Sequence, residues 1–203
     1  MSLLNIPGYK STFKNRISGR GGGVALFLRN CFKYTVCDDL SAFNNDYFES
    51  IFIELTNTIL GNRIIVAVYR PPGYSTDLFM SGFVMVLSAI SKTRSECLVA
   101  GHFNVEHFKY DENAVTEDFI NNLYEPLFIP FISRPIRFNI NSSTLIDNIL
   151  SNKPLNSLVS GILITDVSDH FPVFYISKHM NHRNKKIAIK RETLITSDKN
   201  SNI

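Results

Sequence analysis

Cys97-Leu98-Val99-Ala100-Gly101-His102-Phe103-Asn104 is the stretch whose reading decides the fold. Its first four residues form an apolar run that reads as a short buried strand. The polar residues that close it lie at a strand end, the usual place for chemistry in an α/β protein. Leu145-Ile146-Asp147-Asn148 and Ser168-Asp169-His170 also abut apolar runs. Together the three stretches can supply a carboxylate, a carboxylate–imidazole pair and an amide, the donor types of a metal-assisted phosphodiester site. Position 102, where such a site takes a second carboxylate, carries an imidazole.

Working outward, Gly21-Gly22-Gly23 leads into a strand at Val24-Ala25-Leu26-Phe27-Leu28. Residues 48–55 alternate in part, with Ile51, Ile53 and Leu55 on one face and Ser50 and Glu54 on the other. Residues 64–69 are almost wholly apolar, as in a strand covered on both faces. Arg70-Pro71-Pro72-Gly73 stops that strand, because proline cannot donate to a ladder. Ser75-Thr76-Asp77 supplies a hydroxyl N-cap and a first-turn acid for a helix. Its apolar stripe is Leu78, Phe79, Phe83, Val86, Leu87 and Ile90. A second helix is expected over 114–124, with Phe119, Ile120 and Leu123 on its apolar side. Strands are expected at 144–150, 158–164 and 171–176. Residues 1–20 read as polar and irregular, with a turn at Pro7-Gly8. Many strands with one strong helix suit a two-sheet α/β sandwich better than a strict βαβα alternation.

Composition bounds the function. The 203 residues are 44% hydrophobic and 19% charged, which fits one folded domain, or a domain with a tail, able to bury a sizeable core. A net charge of +3 permits an anionic partner without demanding one. Cys31, Cys37 and Cys97 lack metal-ligand spacing and suit a reducing compartment. The longest apolar stretch, Phe83 to Ile90, falls far short of the ~20 residues that span a bilayer. The N-terminus has no basic start followed by an apolar block, so a secreted protein is not expected. From Lys178 onward seven basic residues face two acidic ones, marking 178–203 as a basic polar tail or linker beyond a domain at 1–177.

Each candidate site residue has a plainer reading beside the functional one. Adjacent residues in extended backbone point to opposite faces, so Asp169 and His170 should not pair with each other. His170 then needs an orienting carboxylate from elsewhere, for which Asp147 is the natural candidate. Asp169 is left free for a divalent cation, or it is simply a turn and cap residue. Asn104 can offer its amide to a phosphate oxygen or to a metal-bound water, or it is an ordinary turn residue. Tyr69 and Arg70 can meet a phosphate, or they are an interfacial tyrosine and a solvated arginine. The glycine run lacks the Gly-Lys-Ser/Thr of a phosphate-cradling loop and reads as a tight start to a strand. Glu49 begins its strand and reads as solvated.

In chain order the motifs are Arg20-Gly21-Gly22-Gly23-Val24-Ala25, Glu49-Ser50-Ile51-Phe52-Ile53-Glu54, Val68-Tyr69-Arg70-Pro71-Pro72, Gly101-His102-Phe103-Asn104, Thr144-Leu145-Ile146-Asp147 and Ser168-Asp169-His170-Phe171-Pro172-Val173. This series resembles the endonuclease/exonuclease/phosphatase superfamily over roughly residues 6–177. More narrowly, it resembles the apurinic-type endonuclease domain of non-LTR (LINE-like, jockey or CR1 type) retrotransposons, which precedes a reverse transcriptase. The resemblance implies a four-layer α/β sandwich of two sheets flanked by helices, a DNA partner, and a Mg²⁺-dependent nick in DNA made inside the cell, in the nucleus. It places His170 at the scissile phosphate and makes Asp147 its orienter. Asp169 joins the metal ligands, Asn104 the strand-end pair, and Tyr69 contacts the phosphate. The metal would neutralise developing charge while an activated water attacks in line.

Two departures shape the expected activity. The family motif reads Gly-Asp-Phe-Asn, and this chain has His102 in place of the aspartate that positions or deprotonates the attacking water. Loss of a positioned base typically costs on the order of 10²–10⁴-fold in rate. Family members also carry an N-terminal strand with an asparagine and a second ending in the main metal-ligand glutamate. Residues 1–20 show neither, so the fold is expected to lack its first strands, with metal binding and catalysis impaired. The alternatives are a non-catalytic nucleic-acid-binding module in the same groove, or another superfamily phosphodiesterase.

Overall fold

The apolar runs read from the sequence pair with one another. The computed structural model describes residues 4–16, 22–41, 47–56, 61–93, 95–153 and 158–177. Their order is β1 (Tyr9–Lys14), β2 (Val24–Arg29), β3 (Lys33–Val36), α1 (Asp38–Ser41), β4 (Glu49–Thr56), β5 (Arg63–Tyr69), α2 (Thr76–Lys92), β6 (Glu96–His102), α3 (Ala114–Tyr124), β7 (Ile129–Pro130), β8 (Arg137–Asn139), β9 (Ser142–Thr144), β10 (Asp147–Ser151), β11 (Leu158–Ile162) and β12 (Val173–Ser177). The basic segment 178–203 and the Arg20-Gly21 part of the glycine motif lie outside the described residues.

A six-stranded sheet in the order β3-β4-β5-β6-β10-β7 forms the centre. Only β5 and β6 run parallel, joined by the crossover helix α2. Ser75 caps α2 by accepting from the Leu78 N–H, as the hydroxyl at that position predicts. Asn113 caps α3 by accepting from the N–H groups of Val115 and Thr116. One face of the sheet, carrying Ile64, Val66, Val68, Cys97, Val99 and Leu150, packs under Phe79, Phe83, Val86, Leu87 and Ile90 of α2 and Phe119 and Leu123 of α3. Each such fully buried side chain contributes about 1.5–3 kcal/mol. On the other face lie two separate antiparallel pairs, β1–β2 and β11–β12. Val24, Leu26 and Leu28 of β2 pack on Ile51, Ile53 and Leu55. Val173 of β12 packs with Ile162 and Phe171 on Ile132, Ile136 and Leu145.

Two strand expectations are corrected. The polar sequence Tyr9–Lys14 is a strand, because antiparallel pairing with β2 satisfies its backbone and only Thr12 and Phe13 are half-buried. The expected strand 144–150 divides into β9 and β10. Between them the Leu145 N–H donates to the Glu106 carboxylate, and the Ile146 carbonyl accepts from the Phe103 N–H at 2.8 Å. Those bonds tie residues 145 and 146 to the loop after β6 instead of to a neighbouring strand. Among the described residues no helix is long and apolar enough to cross a membrane.

Candidate functional site

Register alone assembles a line of side chains. Glu49 pairs with Tyr69, Tyr69 with His102, and His102 with Asp147, across β4, β5, β6 and β10. The parallel strands β5 and β6 end on this line, and the antiparallel strands β4 and β10 begin on it. Gly101 makes the close fit possible. A Cβ there would stand 2.0 Å from the Val68 carbonyl oxygen, so any side chain would push β6 off β5 just before His102.

At the centre of the line, one carboxylate is shared by two imidazoles. His102 Nδ1 is 2.9 Å from Asp147 Oδ1, and His170 Nδ1 is 2.5 Å from Asp147 Oδ2. Burial works to raise the Asp147 pKa, and the hydrogen bonds from His102 and His170 outweigh it, leaving the carboxyl below its ordinary range. An ionised carboxylate only accepts, so each Nδ1 carries the donated proton and each Nε2 is left facing away. The Tyr69 ring stacks on His102 with centroids 5.5 Å apart and planes 22° apart. The His102 and His170 rings are themselves 5.5 Å apart. His170 is held by a bridge from Arg137 and by the Phe171 N–H donating to the Ile136 carbonyl.

Glu49 is not solvated, as its position at a strand start suggested. Its carboxylate accepts from Arg16 Nε and from the Gly23 N–H, both at 2.5 Å. Gly22 and Gly23 have φ of 89° and 95°, a region other residues avoid. That backbone folds the glycine turn over the start of β4. Arg16 also lies over the Tyr69 ring, 5.8 Å from its centroid. The register neighbour of Tyr69 is the signal that finds Glu49, and it emerges only once β4 and β5 are paired.

Arg70, expected to meet a phosphate or solvent, is buried at 5% exposure. Its guanidinium donates to the carbonyls of Asn104 and Tyr74 and to Thr76 Oγ1, which ties the end of β5 to the loop after β6 and the start of α2. Burial lowers its pKa from the ordinary value. Asn104 adopts φ of 52°, a left-handed conformation that asparagine tolerates, and its amide donates to the Arg70 carbonyl at 3.2 Å. Asp169 is 62% exposed and pairs with Arg137 Nε at 3.0 Å, outside the imidazole cluster.

The sequence reading passed over His107 and the role of Asn148, on the opposite face of β10. Asn148 Oδ1 accepts from the N–H groups of Ile132 and Ile149, and Nδ2 donates to the Ile132 carbonyl and to His107 Nδ1. His107 stacks on Phe119 with centroids 4.7 Å apart, and burial pushes its pKa down to about 3.

Mg²⁺ takes near-octahedral oxygen ligands. Glu49 is spent on Arg16 and Gly23, Asp147 on two imidazoles, and Asp169 on Arg137. These carboxylates therefore do not assemble an oxygen cage, and the donor set does not fit Mg²⁺. Among the described residues the group whose ligand atoms do converge is His102, Asp147 and His170.

No protein-family model matches the sequence, and no curated protein matches it. Solved structures do match. The endonuclease domain of TRAS1, a telomere-specific non-LTR retrotransposon, superposes with a TM-score of 0.66 at 12% identity, over 87% of this chain and 82% of that one. The 3′-5′ exonuclease NExo from Neisseria meningitidis gives 0.60 at 16% identity, over 85% and 80%. The Xenopus laevis APE2 catalytic domain gives 0.59 at 16% identity, over 86% and 77%. The chain has the endonuclease/exonuclease/phosphatase fold.

Proposed function

We propose that this chain is a retrotransposon-type endonuclease-like domain that binds DNA over the strand-end line and whose metal-dependent phosphodiester cleavage is impaired or lost. The observation that carries this reading is the Asp147–His170 pair, a half-buried carboxylate holding an imidazole by its Nδ1 at 2.5 Å. Such a pair fixes the tautomer and leaves Nε2 to meet a phosphate oxygen or a proton. The phenol of Tyr69 shares that surface. The fold supports the reading through its likeness to the TRAS1 endonuclease domain, and its likeness to NExo, which has been seen bound to a product DNA hairpin, supports DNA as the partner.

Impairment follows from position 102. The imidazole there adds no negative charge for a hard cation, and it takes one oxygen of Asp147 for itself. The expected site of action is the nucleus, with residues 178–203 a basic extension beyond the domain.

Nicking of supercoiled plasmid tests this. With Mg²⁺ the native chain should show little or no nicking, His170→Ala should abolish whatever remains, and His102→Asp should raise it, by up to about 10²-fold. Robust nicking that survives His170→Ala would overturn the reading. Salt-sensitive duplex binding with no cleavage by either the native chain or His102→Asp would replace it with a binding module.

A further inference from the structure

The donor set that fails for Mg²⁺ suits another class of cation. We propose that His102, Asp147 and His170 form a binding site for a borderline transition-metal ion, with Zn²⁺ as the ion to test, created by the imidazole at position 102. This rests on the proposed function only in sharing its site.

Two imidazoles and one carboxylate are the nitrogen and oxygen ligands that Zn²⁺ takes, whereas Mg²⁺ and Ca²⁺ select oxygen alone. The ligand atoms of the three residues lie within 4.8 Å of one another. A tetrahedral ion about 2.0–2.2 Å from each donor holds them roughly 3.4 Å apart. The present nitrogen–oxygen separations of 2.9 and 2.5 Å are the closed, hydrogen-bonded form of the same set. For an ion at these atoms the two histidine–carboxylate separations open by less than about 1 Å, and each imidazole gives up its Nδ1 proton to solvent and carries its N–H at Nε2 instead. Where the imidazoles ligate through Nε2 instead, Asp147 becomes the carboxylate behind them, an arrangement that fixes ring orientation and raises basicity.

The scaffold is already ordered for this. His102 and Asp147 face each other in β-ladder register, and Tyr69 holds the His102 ring by stacking. The side chains of His102, Asp147 and His170 are 21%, 23% and 26% exposed, so the group is set in the protein yet open on one side. Three protein ligands with one open position are the pattern of reactive zinc sites, and a water or a phosphate oxygen fits the fourth place.

The test uses metal-stripped full-length chain titrated with Zn²⁺ or Mg²⁺, read by calorimetry and by thermal unfolding, with the visible spectrum of added Co²⁺ as a probe of ligand geometry. Zn²⁺ should raise Tm with increasing concentration, and Mg²⁺ at the same concentrations should not. His102→Ala and His170→Ala should each weaken Zn²⁺ binding at least 100-fold, and Asp147→Asn should weaken it 10- to 100-fold. His102→Phe keeps a ring against Tyr69 while removing the nitrogens, so it separates lost ligation from lost packing, and it too should lose Zn²⁺. Equal Zn²⁺ affinity in the native chain and His102→Phe would overturn the site, as would a Mg²⁺ response matching that of Zn²⁺. Plasmid nicking plays no part in these readouts, so the metal site and the proposed function fail separately.

Discussion

Asp147 and Asn148 are consecutive residues of β10 that face opposite sides of the central sheet, and each is bonded to an imidazole. On the Asn148 side everything is closed. His107 is 8% exposed and Asn148 is fully buried, and the amide is spent on backbone groups of Ile132 and Ile149. On the Asp147 side the carboxylate holds two imidazoles that remain open to solvent on one edge. The same residue types are therefore sealed into the fold on one face and left open to solvent on the other. Desolvation drives His107 to the neutral form, with a pKa of about 3, and a neutral buried imidazole is a stacking partner for Phe119. A carboxylate partner gives His102 and His170 a fixed tautomer instead, with a nitrogen to spare.

The largest test of this contrast falls on the closed side. Asn148→Leu keeps the side-chain shape and strands the Ile132 N–H, the Ile132 carbonyl and His107 Nδ1 without partners. Each orphaned buried polar group costs about 1–3 kcal/mol, so the variant should lose roughly 4 kcal/mol of stability. Urea denaturation with an unchanged m-value measures it. A loss below about 1 kcal/mol would mean that Asn148 is not the strut its bonds describe.

How far the sequence reveals each face follows from the same physics. Apolar periodicity marked β2, β4, β5, β6, α2 and α3, because burial writes itself into residue type at every second or fourth position. Polar residues carry no such periodic mark. Tyr69, His102, Asp147 and His170 were all singled out, and strand register brings them together. Arg70 was misjudged because an arginine buried at the heart of a turn looks the same in sequence as one on the surface. Its four oxygen acceptors are backbone and side-chain groups gathered from as far as 34 residues away. Glu49 was misjudged for the complementary reason, since its partners Arg16 and Gly23 come from the far side of a glycine turn. Neither arrangement has a local pattern. His107 was missed because a histidine in the loop after β6 carries no sign of burial until α3 folds over it.

Acid separates the two faces further. The folded pKa of His107 lies far below its ordinary value of 6.5, so the unfolded chain takes up a proton that the folded chain refuses. The stability contributed by this residue is complete above pH 6.5 and is lost as pH falls toward about 3. One such group costs about 1.4 kcal/mol per pH unit, or roughly 2 kcal/mol by pH 5. His107→Phe keeps the ring stack on Phe119 and removes the titrating group along with an Nε2 that has no partner. Unfolding at pH 7 should differ from the native chain by less than about 1 kcal/mol. Unfolding at pH 5 should show the variant more resistant to acid, and equal pH slopes for the two proteins would sink this account of the closed face.

Asp147→Asn probes the open face and should have the smallest effect on stability. The carboxylate gains two charge-assisted hydrogen bonds, each worth about 1.5–3 kcal/mol, yet burial opposes its charge. The amide relieves that desolvation and can still accept from one imidazole, so the net loss near neutral pH should be about 1 kcal/mol. The sign of the pH dependence is also set. With the folded pKa below the ordinary 3.8, the contribution is present above that value and disappears as pH drops through the folded one. The variant should therefore match the native chain below the folded pKa, fall behind it as pH rises from there to 3.8, and stay behind by a constant amount above that. An asparagine that costs as much here as leucine costs at position 148 would erase the distinction between the faces, because the open cluster would then be carrying the fold as heavily as the closed one.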